Sequence, residues 1–148
     1  MGRRLALAAL VLAGCSAAEP EAMPASCVSD AESYARALER APAPVRLPDG
    51  SPISACVERA SKPADLQNLG VVTTRTADRL AEQAADDPRA ALALGYLIGA
   101  VQRGAERTNG TQLELAFRIG RAGGRLGSPP PRIAGALERG IAAGERTG

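Results

Sequence analysis

Apolar residues recur along this chain at offsets of three and four, the spacing that places side chains on one face of an α-helix. Over residues 29–41, Ser29 and Asp30 supply a cap and Glu32 an early acid, after which Ala31, Tyr34, Ala35 and Leu38 follow the helical spacing. Pro42, Pro44, Pro48 and Pro52 then forbid regular structure, with a turn at Asp49-Gly50. A short helix is expected from Ile53 to Ala60. Behind Ser61-Lys62-Pro63, the residues Leu66, Leu69, Val72, Thr76, Leu80 and Ala84 continue the pattern. Val71 to Thr76 is rich enough in β-branched residues to look strand-like, but no other segment offers a pairing partner, so helix is predicted there too.

Asp86-Asp87-Pro88 opens the next helix, with a carboxylate at the cap and proline in the first turn. Its interior, Ala90 to Val101, is apolar on every side and too short to span a bilayer, which marks a buried central helix. After a break at Asn109-Gly110, Leu113, Phe117 and Gly120 together with Leu115, Ile119 and Ala122 predict a further helix that stops at Gly123-Gly124. Ser128-Pro129-Pro130-Pro131 separates it from a last helix carrying Ile133, Leu137 and Ile141 at intervals of four. The expected fold is all-α, a single small bundle of five or six helices over residues 27–148.

The first residues follow a different rule. Met1-Gly2-Arg3-Arg4 is a short positive start, and Leu5 to Gly14 is an unbroken apolar run ending in Leu12-Ala13-Gly14-Cys15. Ten residues cover only about 15 Å as a helix, half the roughly 30 Å hydrocarbon core, so the run reads as an export signal over residues 1–14 and not as a permanent span. Leu12-Ala13-Gly14-Cys15 resembles the lipobox of bacterial lipoproteins. That resemblance implies cleavage just before Cys15, a diacylglyceryl group on its thiol and further fatty acylation such as palmitate at the new amino terminus. It also implies a lipid-anchored location on the outer side of the cell membrane or, because Ser16 and not aspartate follows the cysteine, at the outer membrane. The resemblance covers residues 1–15 only.

Residues 16–26 are small, acidic and proline-bearing, with no periodic apolar face, and read with Cys15 as the lipidated cysteine and flexible tether of residues 15–26. Once Cys15 is assigned to lipid, Cys27 and Cys56 remain, and the oxidising compartment that export implies makes a disulfide between them the expectation. It would staple the first two helices across the proline-rich loop. A redox pair is disfavoured by the long spacing and the lack of a flanking cation that would depress a thiol pKa.

Composition mainly excludes. The 148 residues contain no histidine, which removes Ser-His-Asp and Cys-His nucleophile systems and His-ligated metal sites. No cofactor and no metal site is expected. Asp86-Asp87 has a capping explanation, Glu138 and Glu145 lie on an exposed face, and Lys62 beside Ser61 sits in a capping segment without the apolar surroundings an activated lysine needs. The formal charge of +2 belongs to Arg3 and Arg4, because from Cys15 onward acids and bases balance. What remains is asymmetry: residues 110–148 carry +3, and Arg118, Arg121 and Arg125 fall along one edge of a helix. They are candidates for contact with an anionic surface, with a solvated helix face as the alternative. Nucleic acid is not an expected partner, since aromatic stacking platforms are absent.

Glycines four apart at Gly95/Gly99, Gly120/Gly124 and Gly140/Gly144 predict close backbone approach between helices, with a homodimer seam or the floor of an apolar ligand pocket as alternatives. The functional expectation is a lipid-anchored envelope protein whose non-catalytic domain binds a partner protein or an envelope component. A carrier or sensor of a small apolar ligand and a histidine-free cell-wall hydrolase are the alternatives.

Overall fold

The computed structural model describes residues 21–110 and 112–148. The export signal and Cys15 lie outside them. The described chain is all-helical, with six α-helices: α1 (Ala31–Leu38), α2 (Ile53–Arg59), α3 (Pro63–Ala84), α4 (Pro88–Glu106), α5 (Leu113–Gly124) and α6 (Pro131–Thr147). The β-branched stretch Val71 to Thr76 lies inside α3, where Thr73 and Thr76 return their hydroxyls to the carbonyls of Leu69 and Val72 at 2.7 and 2.8 Å. This bond satisfies a buried hydroxyl within the helix itself.

Local signals set most boundaries. Asp30 caps α1 by accepting from the Ser33 amide at 2.8 Å, and Asp87 caps α4 by accepting from the Arg89 amide at 2.8 Å, ahead of Pro88. Asn109 and Gly110 both have positive φ, at 52° and 91°, and turn the chain between α4 and α5. The stop expected at Gly123-Gly124 is observed, since α5 ends at Gly124. The two glycines are its last helical residues, and the left-handed conformation follows at Gly127, at φ 61°.

The helix apolar on every side is central. α4 packs against α1, α2, α3, α5 and α6, and from Ala90 to Val101 only Leu92 retains intermediate exposure. Its most extensive partner is α6, and the reason is the absence of side chains. A Cβ placed on Gly95 or Gly99 would collide with the carbonyl oxygens of Leu137 and Ile141, and one on Gly140 or Gly144 would strike those of Leu92 and Tyr96. The two helices therefore meet backbone to backbone over two turns. The third glycine pair behaves differently, since nothing lies within 4 Å of a Cβ built at Gly120 or Gly124.

The Cys27–Cys56 disulfide is present, with a Cα–Cα distance of 5.4 Å, and joins the segment before α1 to α2. Part of the stretch read as tether is docked: Met23 packs on the core and Ala25–Val28 forms a 3-10 helix that carries Cys27 into it. The bridge and Met23 extend the packed part several residues towards the N-terminus. No described helix is long and apolar enough to cross a membrane.

Candidate functional site

Three consecutive residues at the end of α2 gather distant parts of the chain. Glu58 pairs with Arg107 at 2.8 Å, Arg59 pairs with Glu21 at 2.8 Å, and the Ala60 carbonyl accepts from the buried Gln112 side-chain amide at 3.0 Å. The point where the described chain enters, the end of α4 and the start of α5 thus lie together at one end of the bundle. Cys15, the expected lipidation site, precedes this entry point by six residues and lies outside the described structure.

α5 leaves this end with two unlike faces. Leu115, Ile119 and Ala122 are buried against the bundle. The other predicted apolar row is turned outward: Phe117, the only phenylalanine, is 69% exposed and Leu113 is 43% exposed. With Ala116 and Gly120 they form one wall of an open groove of about 460 Å³, whose other wall carries Gln102, Glu106 and Glu145. Arg118, Arg121 and Arg125 do share an exposed edge of this helix. Their charges are not equivalent, because Arg118 pairs with Glu114 at 3.7 Å and Arg125 pairs with Asp78 of α3. Arg121 forms no ion pair among the described residues.

A second feature has no signature in sequence. At the opposite end of α4, an open groove of about 700 Å³ between α1, α3, α4 and α6 is lined by Arg79, Arg89 and Arg139, with Glu39 and Asp87 as its carboxylates. The three arginines come from three helices and lie 10 and 50 residues apart in the chain, so no spacing rule could have grouped them. None of the three is ion-paired among the described residues, and Asp87 is engaged as the cap of α4.

Chemistry at these places is limited by what surrounds the groups. Lys62 and Ser61 are exposed, as are Glu138 and Glu145, and no cluster of three metal-ligating side chains occurs among the described residues. The glycines that offered the floor of a ligand pocket, Gly95 and Gly99, are covered by α6 backbone. The most perturbed titrating group among the described residues is the phenol of Tyr34, which burial, and then the charge of Asp49, push up from its ordinary value. Its hydroxyl donates to the Cys27 carbonyl at 2.9 Å, so it braces the fold beneath the disulfide. Compared with protein-family models, curated proteins and solved structures, the chain matches none.

Proposed function

We propose that this protein is a lipid-anchored component of a bacterial cell envelope whose helical domain binds an anionic partner, protein or envelope polymer, without catalysing a reaction. The observation that supports binding most directly is the open groove at the start of α4, where Arg79, Arg89 and Arg139 converge without ion-pair partners. Guanidinium groups suit carboxylate or phosphate recognition, because each offers several donors in a planar fork. The anchor reading rests on Leu12-Ala13-Gly14-Cys15 and its resemblance to the lipobox. An anchor at the α2 end leaves the arginine groove roughly 25 Å away along α4, free to face the envelope space. The anionic-surface role of Arg118, Arg121 and Arg125 remains part of the proposal, with Arg121 the member least committed to another residue.

One experiment in living cells tests both halves. Labelled fatty acid should enter the full chain and be lost in Cys15→Ala, while a photo-crosslinking residue at Gln83, inside the groove, should give a discrete envelope adduct. That adduct should disappear when Arg79 and Arg139 are reversed to glutamate. Label retained by Cys15→Ala ends the anchor reading. Absence of any adduct, or one indifferent to the charge reversal, ends the groove's role.

A further inference from the structure

We propose that the outward face of α5, carrying Leu113 and Phe117, rests in the interfacial layer of the phospholipid surface to which Cys15 is attached; this rests on the anchor reading given above. Exposure of the chain's only phenylalanine, with a leucine one turn before it, leaves large apolar area in water, while both tyrosines are fully buried. Phenylalanine and leucine on one helical face are the side chains that enter the headgroup and acyl boundary. A helical side chain also leans towards the N-terminus of its helix, which here is the end held at α2.

Position selects lipid as the occupant. Arg59 holds Glu21 and the neighbouring Ala60 holds Gln112, immediately before Leu113. From Cys15 to Glu21 the chain can span at most about 20 Å, so the anchored molecule keeps this end near the bilayer. Arg121 flanks Phe117, but Glu106 and Glu145 line the same groove and offset its charge. Attraction to anionic headgroups therefore does not hold the face in place. The tether does so, by converting a weak apolar contact into an intramolecular one of high effective concentration. A second copy is disfavoured by size: two exposed side chains fall well short of the roughly 1,200–2,000 Å² that stable protein interfaces bury.

The chain has no tryptophan, so F117W introduces a sole indole reporter at a site that is open to solvent. The full lipidated F117W chain is reconstituted in vesicles of phosphatidylethanolamine and phosphatidylglycerol with brominated acyl chains. L113W serves as a second reporter of the face, and A85W, at the far end of α3, as the distal reference. The F117W and L113W indoles should shift to the blue and be quenched several-fold more than the A85W indole, and they should resist acrylamide. Failure to incorporate labelled fatty acid at Cys15 removes the anchor reading and this inference together. Incorporation with freely acrylamide-accessible indoles removes the inference alone. Indoles shielded from acrylamide but untouched by the brominated chains mean that protein covers the face, as a second copy or another partner, and also overturn it.

Discussion

Tyr34 shows how a single buried hydroxyl ties two levels of the structure together. Its ring lies in the core, and its hydroxyl donates to the carbonyl of Cys27, which would otherwise be one donor short beside the disulfide. Tyr34→Phe should therefore lower stability by about 1–3 kcal/mol, the range for stranding a buried acceptor. The pH dependence has a definite sign. A phenol pKa raised by folding contributes stability that is complete below the ordinary value near 10 and is lost above it, as the unfolded chain ionises first. Urea unfolding should show a constant gap between wild type and Tyr34→Phe up to about pH 10 and a narrowing gap beyond it. A gap that widens there would contradict the assignment. Tyr96 plays a similar part elsewhere, accepting from the Val45 amide at 3.0 Å and bonding the Thr147 hydroxyl at 2.9 Å.

Among the elements, the α4/α6 pair depends on residues that have no side chains. Contact between their backbones is reinforced at the end of α6, where the Arg103 guanidinium donates to the carbonyls of Glu145 and Arg146, both at 2.6 Å. A cation there satisfies carbonyls that the helix leaves unpaired and complements its dipole. Identical spacing makes opposite predictions for different glycine pairs. Gly99→Ala should destabilise by about 1–3 kcal/mol, because the methyl has no room unless the helices separate, and this outweighs the helix propensity alanine brings. Gly120→Ala, with open space around it and ordinary helical φ, should stabilise by about 0.4–1 kcal/mol. Thermal or denaturant unfolding of the two variants side by side decides the matter, and equal shifts would deny the close approach of α4 and α6.

At the scale of the molecule, the disulfide and the α2 corner organise what the bundle alone would leave loose. The proline-rich segment from Pro42 to Pro52 includes a cis Ala41-Pro42 bond and contributes Val45 and Leu47 to the core, but it forms no regular element. Its ends are held by the Cys27–Cys56 bridge, at a sequence separation of 29. Closing a loop of that length restricts the unfolded chain by about 3–4 kcal/mol on the chain-entropy estimate. The paired replacement of Cys27 and Cys56 by alanine should lower the unfolding free energy by about that amount, measured in denaturant without reductant. No change would show that the packed helices hold the segment unaided. The length of α4, about 28 Å, separates two surfaces, an apolar one beside this corner at the start of α5 and an arginine-lined one at the start of α4.

Local chemistry was legible wherever it acts over a few residues. Asp87-Pro88, Asn109-Gly110, the run from Ala90 to Val101 and the two cysteines left after Cys15 gave the helices, a turn, the central element and the bridge. All but the bridge depend on capping, backbone preference and periodicity, which neighbouring residues settle among themselves; the bridge was expected from the lipobox resemblance at Cys15 and the oxidising compartment it implies. Periodicity could not decide which of two apolar rows on α5 would be covered. Leu115, Ile119 and Ala122 meet the bundle while Leu113 and Phe117 do not, because the rotation of α5 is set by α3, α4 and the Gln112 anchor on Ala60. Nor could spacing tell Gly95 and Gly99 from Gly120 and Gly124, since the difference lies in whether another helix arrives. The sequence by itself therefore determined the helical elements and the caps at Asp30 and Asp87, and, with the lipobox resemblance, pointed to the cysteine pairing. Only the tertiary structure decided which faces remain open and which charges converge, because Arg79, Arg89 and Arg139 become neighbours only once three helices have packed.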